Sequence, residues 1–245
     1  MQSPLSKIMF LDIETVPLTE SLSDLPDDLQ HLWEEKFRTL QRTSPGKYGS
    51  EMSASEAYES NAAIYSEYGR IVCISVGFIF YQNQAMHFRT KSFADEDEKA
   101  LLKAFSELID KFFTSSEHQF CGHNIKEFDI PFICRRMIIQ HLPLPKALQI
   151  NSKKPWETNL LDTLDFWKFG DYKNYTSLKL LTAILGIPTP KDDIDGSQVA
   201  TVYYKENNLK RISTYCEKDV IATAQVWLRL NGLDAFEYEN IQHAD

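Results

Sequence analysis

The run Lys7-Ile8-Met9-Phe10-Leu11-Asp12-Ile13-Glu14-Thr15 constrains the fold more than any other stretch, because an apolar segment ends in two acids one residue apart. Its pattern predicts a strand. Side chains alternate on a strand, so Phe10, Asp12 and Glu14 share one face while Met9, Leu11 and Ile13 share the other. Apolar residues on both faces of the front half mark a buried central strand. Polarity appears at the carboxyl end, where open α/β sheets bind their ligands. Carboxylates held this close repel one another unless one takes a proton or a divalent cation lies between them, and Mg²⁺ or Mn²⁺ prefers such oxygen ligands. An edge strand with two solvated acids would read the same way, so the rest of the chain has to decide.

The 245 residues can bury one large α/β core. A single domain over 1–245 is expected, with an insertion at 16–69 and a short tail at 232–245. Hydrophobic content of 43% and charged content of 25% are ordinary for a globular protein. No segment is apolar enough to span a bilayer, and the first residues lack a secretion pattern, so a cytoplasmic protein without a membrane partner is expected. Cys73, Cys121, Cys134 and Cys216 form no Cys-x-x-Cys pair and read as reduced core residues. The formal charge of −9 argues against a protein that coats nucleic acid electrostatically. It leaves room for an enzyme that meets phosphates through cations. Ten acids against four bases between Val16 and Gly69 account for most of the imbalance.

Leu25, Leu29, Leu32, Trp33, Phe37 and Leu40 recur at helical spacing and predict a helix over 26–41, with a weaker one over 53–65. Tyr48, Tyr58, Tyr65 and Tyr68 in this region could stack on bases or could be packing residues. The insertion could form a lid beside the site, pack away from it, or mediate self-association. Strands over 70–81 and 85–90, joined by a short polar link, predict an antiparallel hairpin. A helix at 95–113, a strand at 119–125, a helix from Pro131 to about His141 and a strand at 159–167 follow. Helices at 177–185, 196–206 and 209–230 complete the chain. This order predicts one mixed sheet covered by helices.

On the last helix Ile212, Tyr215, Asp219, Ala222 and Val226 form one stripe at three- and four-residue steps, so Asp219 sits on the face to be buried. A buried carboxylate needs a partner, either a salt bridge or a cation. Tyr215 lies one turn earlier on that stripe. Asp129 stands at a helix entrance and could be a cap, although Pro131 shifts the natural cap to Ile130. His123 has no second His or Cys at ligand spacing and reads as a hydrogen-bonded turn residue. Asp162 is a further acid near a strand end, in a supporting or solvated position.

Asp12-Ile13-Glu14-Thr15, then Gly122-His123-Asn124 with Phe128-Asp129, then Tyr215-Cys216-Glu217-Lys218-Asp219-Val220 resemble, in order, the three sequence blocks of the DEDD 3′–5′ exonucleases. Tyr four residues before Asp is the DEDDy form; the position at which the DEDDh form carries His is Thr214 here. The likeness is to the proofreading domain of family B DNA polymerases and its stand-alone relatives. It runs from Lys7 to about Leu230 and includes Lys191-Asp192-Asp193-Ile194-Asp195-Gly196. The sequence departs from a polymerase in having no polymerase domain after Asp219, so a proofreading role is not the expected one.

The resemblance implies a ribonuclease H-like α/β fold, with a five-stranded mixed sheet whose second strand is antiparallel. It also implies hydrolysis at the 3′ end of single-stranded nucleic acid, DNA ahead of RNA, releasing nucleoside 5′-monophosphates. Asp12, Glu14 and Asp219 would hold one of two cations, Mg²⁺ or Mn²⁺, Asp12 would bridge to the second, and Asp129 would act there through water. Tyr215 would orient the attacking water. Thr15, Asn124 and Phe128 would bind the terminal nucleotide, and Lys153, Lys154, Lys168 and Lys173 would guide the strand. A separate polymerase or repair protein is an expected partner. A non-catalytic nucleic-acid-binding module and a small-nucleotide phosphohydrolase are the alternatives.

Overall fold

The computed structural model describes residues 4–171, 175–188 and 194–244. The opening apolar run forms strand β1 (Ile8–Pro17), followed by helices α1 (Asp27–Thr43) and α2 (Ala54–Asn61). Strands β2 (Gly69–Gln82) and β3 (Ala85–Ala94) come next, then α3 (Glu98–Phe112), β4 (Gln119–Gly122) and α4 (Asp129–Ile139). The remainder is β5 (Leu160–Asp162), α5 (Thr163–Lys168), α6 (Leu178–Ile184), α7 (Val199–Tyr204), α8 (Leu209–Leu230) and β6 (Ile241–Ala244).

The strands form one sheet in the order β5-β4-β1-β2-β3-β6. Strand β1 is antiparallel to β2 and parallel to β4, and β4 is parallel to β5. The antiparallel second strand is as expected, whereas the count is six rather than five. The additional strand, β6, lies in the expected tail and pairs parallel with β3. Ile-Gln-His-Ala is too short to display alternation. It is fastened by side chains instead, since Glu217 of α8 accepts from Ser92 at 2.7 Å and bonds the His243 ring at 2.8 Å. The sheet order and the helices on both sides are consistent with a ribonuclease H-like fold.

Several element boundaries differ from expectation, the strand expected over 119–125 ending at Gly122 among them, and two bear on the site. The strand expected over 159–167 ends at Asp162, whose carboxylate Oδ1 accepts from the amides of Leu164 at 3.0 Å and Asp165 at 3.4 Å and so starts α5. Apolar Leu164, Phe166 and Trp167 disguised that switch. Helix α4 begins at Asp129 rather than Pro131. Pro131 then falls in the first turn, where a missing N–H leaves no hydrogen bond broken.

The two faces of β1 feed two cores. Met9, Leu11 and Ile13 pack with Leu101, Phe105, Ile130 and Ile133 of α3 and α4. Ile8 and Phe10 pack with Val220, Ile221, Ala224 and Trp227 of α8. Glycine at Gly77 permits the close approach of that helix, because a Cβ there would run into the Phe88 ring and the Val220 methyl. Thus the face carrying Asp12 and Glu14 is the face that receives α8.

Residues 18–68 leave β1 and return to β2 with their own cluster around Trp33, Phe37, Tyr48, Tyr58 and Tyr68. The Trp33 indole donates to the Ala54 carbonyl at 2.8 Å. Tyr48, Tyr58 and Tyr68 are buried, so the packing reading holds for these three and base stacking on them does not, while Tyr65 is half-buried against the same cluster. Several bonds fasten the segment to the sheet and its helices. The Thr15 hydroxyl donates to the Ala63 carbonyl at 2.9 Å, the Leu18 amide to Tyr68 at 2.8 Å, and the Tyr204 hydroxyl of α7 to Pro17 at 2.7 Å. Arg136 of α4 donates to the Ser66 carbonyl at 2.9 Å and forms a bidentate pair with Glu98 of α3, at 2.9 and 2.6 Å. Arg136 and Glu98 are both buried.

Candidate active site

Asp12 and Glu14 project from β1 toward α8, as alternation on a strand requires. A ligand atom from each, together with the Cys216 sulfur, can be chosen so that all lie within 4.8 Å of one another. The Cys216 thiol donates to the Asp12 carbonyl and to Asp12 Oδ2, both at 3.4 Å. Cys216 stands three residues before Asp219, on the same helical face, and that spacing was the sequence signal for its presence at the site. The other acids reach the same place. Asp129, buried at the start of α4, accepts from the Ile13 backbone N–H at 3.2 Å. Asp219 lies close enough to act electrostatically on Asp12, Glu14 and Asp129 alike, and its carboxylate accepts the Tyr215 hydroxyl.

The electrostatic consequence follows from burial and like charge. Asp12 is pushed well above the ordinary carboxylate range by burial first, then by the charges of Asp219, Glu14 and Asp129. Glu14 is raised by burial, then by Asp219. Asp129 is pushed up to about 7, again chiefly by burial, although hydrogen bonds from its own amide and from Ile13 oppose the rise. Burial and the neighbouring acids raise the Tyr215 phenol, which keeps it a hydrogen-bond donor. Burial likewise raises the Cys216 thiol. Four acids so placed cannot all be ionised near neutral pH without positive charge among them.

The turn between β4 and α4 is built around Asp162. Its Oδ1 accepts from the Asn124 amide at 2.9 Å and its Oδ2 from the Lys126 amide at 3.1 Å, beyond its two bonds to α5. Asp162 is therefore a buried scaffold for the turn rather than a solvated acid. Asn124 itself adopts φ +66°, a left-handed conformation that asparagine tolerates. His123 is held between Thr163 Oγ1 and the Thr176 carbonyl, each at 2.9 Å. A carbonyl can only accept, so Nε2 carries the proton. Burial lowers the pKa of this ring, leaving Nδ1 to accept from Thr163. The hydrogen-bonded reading of His123 is the one the geometry supports.

The structure thus gathers Asp12, Glu14, Asp129, Tyr215 and Asp219. Thr15 commits its hydroxyl proton to Ala63, and Phe128 packs against Phe132 with ring centroids 5.5 Å apart. Of the lysines, Lys154 sits over the Trp156 ring at 5.3 Å and Lys168 pairs with Asp165 at 3.7 Å. Lys173 and the 191–193 part of the Lys191-to-Gly196 motif lie outside the described residues. Ile194 is buried beside Cys73 and Cys216, and Asp195 accepts from the Ser197 amide at 2.9 Å.

An α/β sheet with carboxylates from β1, α4 and α8 converging beside its central strands is the framework of a nuclease-type hydrolase. A family of predicted 3′–5′ exonucleases related to the exonuclease domain of PolB matches residues 64–243, and the chain belongs to that family. The match takes in Asp129, Tyr215 and Asp219, while Asp12 and Glu14 join them through the contacts above. No curated protein matches the chain. Among the described residues, no helix is long and apolar enough to cross a membrane.

Proposed function

We propose that this protein is a metal-dependent 3′–5′ exonuclease that trims single-stranded nucleic acid, DNA ahead of RNA, and releases nucleoside 5′-monophosphates. The observation that carries the reading is the meeting of Asp12, Glu14, Asp129 and Asp219 beside the Tyr215 hydroxyl. The donor set fits divalent cations, because crowded, partly buried oxygen ligands with raised pKa values are the ligands that Mg²⁺ or Mn²⁺ takes and relieves. Asp12, Glu14 and Asp219 would hold one cation, with Asp12 and Asp129 serving a second. Such a pair, when bound, supplies an activated water and neutralises charge developing on the phosphate.

The chain's own residues position the remaining groups. Tyr215 gives its proton to Asp219, which leaves its oxygen free to accept from, and so orient, the attacking water. Asn124 and Phe128, flanking the turn into Asp129, are assigned to the terminal nucleotide, and Thr15 would contribute there only as an acceptor. Four free thiols among the described residues suit a reducing compartment, and we place the enzyme in the cytoplasm. Its strands would come from a separate polymerase or repair protein. The preference for DNA rests on the likeness to PolB.

Incubating 5′-labelled DNA and RNA oligonucleotides with Mg²⁺ or Mn²⁺ tests the reading. A ladder of shortened products that EDTA abolishes is expected. Internal cuts without a ladder would overturn the polarity, binding without turnover under every metal would favour a binding module, and phosphate release from mononucleotides would favour a phosphohydrolase.

A further inference from the structure

Tyr175 lies between α5 and α6, and it is 66% exposed, an unusual state for a large aromatic beside a buried acid cluster. Its ring stands edge-on to His123, with centroids 6.3 Å apart at 72°. The next residue, Thr176, supplies the carbonyl that takes the His123 Nε2 proton. That imidazole follows directly on β4, whose Cys121 pairs with Phe10, two residues before Asp12. Tyr175 is therefore pinned at the carboxyl end of the central strands. Partial burial first, then the charges of Asp129, Asp162 and Asp12, raise its phenol and keep it protonated.

Two other exposed rings, Trp156 and Phe166, lack this placement. Trp156 is 76% exposed but precedes β5, at the amino end of that strand, and Phe166 meets Trp227 edge to face, with centroids 4.8 Å apart at 76°. A flat ring with one edge held by protein and much of its surface open to water, beside the acids that would engage the scissile phosphate, matches the platforms on which single-stranded bases stack. Stacking tolerates any base, because every base has a π-face, and a 3′-end trimming enzyme needs that tolerance.

We propose that Tyr175, braced by His123, is the platform on which a nucleobase at the 3′ end stacks. This rests on the exonuclease reading of the same site. The experiment compares 5′-labelled oligonucleotides ending in a normal nucleotide with ones ending in an abasic residue, using the full chain and Mn²⁺. The parent should show a KM roughly tenfold higher for the abasic end. Tyr175→Leu, which keeps an apolar side chain and removes the ring, should raise KM for the normal end to that level and erase the difference, with kcat little changed. Tyr175→Phe should retain the discrimination, and Trp156→Ala should behave as the parent. A ladder from Tyr175→Leu with the abasic penalty intact would overturn the stacking role alone. Absence of any ladder from the parent would overturn the exonuclease reading and this proposal with it.

Discussion

The Ile13 backbone N–H donates to Asp129 Oδ1 at 3.2 Å, a bond between residues 116 apart in sequence. Ile13 separates Asp12 from Glu14, so the third acid is tethered to the peptide between the first two. The apolar side of β1 holds α3 and α4 while the acidic side receives α8, and this bond ties the first residue of α4 to the strand that bears the site.

Replacing Asp219 by Asn keeps an acceptor for Tyr215 and removes one charge. Cleavage should be lost, and the metal-free protein should be as stable as the parent or more so, because repulsion on Asp12 and Glu14 is relieved. Stabilisation by Mn²⁺, about 2.7 kcal/mol for one site at a hundredfold excess over Kd, should shrink. Melting curves with and without metal test this. A much less stable metal-free variant with its metal response intact would make Asp219 a structural residue.

Tyr215→Phe should separate rate from metal binding. Loss of the hydroxyl should lower kcat by roughly 10²-fold, in the range of other water-positioning groups, while the shift in melting temperature on adding Mn²⁺ stays near that of the parent. An equal loss of both would show that the hydroxyl serves the acids rather than the water.

The metal-free protein should lose stability as pH rises. Asp129 has a folded pKa of about 7 against an ordinary 3.8, so between these values the native state holds a proton that the unfolded chain has released. Stability therefore falls through that window and levels off above it, and Asp12 and Glu14 act in the same direction. Asp129→Asn should flatten the fall by roughly 5 °C in Tm between pH 4.5 and 7.5, with EDTA present throughout. Parallel pH profiles for parent and variant would contradict the assignment.

Breaking the buried Arg136–Glu98 pair should be costly. Arg136→Met leaves the Glu98 carboxylate with two backbone and side-chain donors, Ile71 N–H and Gln140, but without its counter-charge. A loss of about 3–5 kcal/mol is expected in urea unfolding. A loss below 1 kcal/mol would mean that the pair is dispensable to the joint between α3, α4 and residue 66.

Asp162→Ala removes the acceptor for four amides, those of Asn124, Lys126, Leu164 and Asp165. Destabilisation by about 2–4 kcal/mol and a weaker kcat are expected, because the turn leading to Asp129 loses its scaffold. Asp162→Asn should recover part of both, since one amide oxygen still accepts.

How much of this was legible in the sequence depended on range. Alternation from Met9 to Glu14 and the stripe from Ile212 to Val226 carry their facing in their periodicity, so β1, α8 and the acids on them could be placed before any coordinates. The packing role of Tyr48, Tyr58 and Tyr68 depends on a cluster formed with Trp33, which local spacing does not display. Asp162 could be read only as an acid near a strand end, supporting or solvated, because its role as a scaffold comes from amides some 40 positions earlier. Strand β6 is set by Glu217 and Ser92, neither of them near it in sequence.

The register of β1 on β2 runs through Pro17↔Gly69, so the two strands are the arms of a hairpin whose loop is residues 18–68. Closing so long a loop as a flexible chain would cost about 2 kcal/mol more than a short turn, and a central pairing of this kind would form late. The cluster around Trp33 changes the order of events, because once it collapses on itself it brings Leu18 and Tyr68 together, their backbones bonded at 2.8 Å. The excursion then behaves as a compact knot at the tip of a short hairpin, and the strand that bears Asp12 and Glu14 can find its partner as quickly as neighbouring strands do.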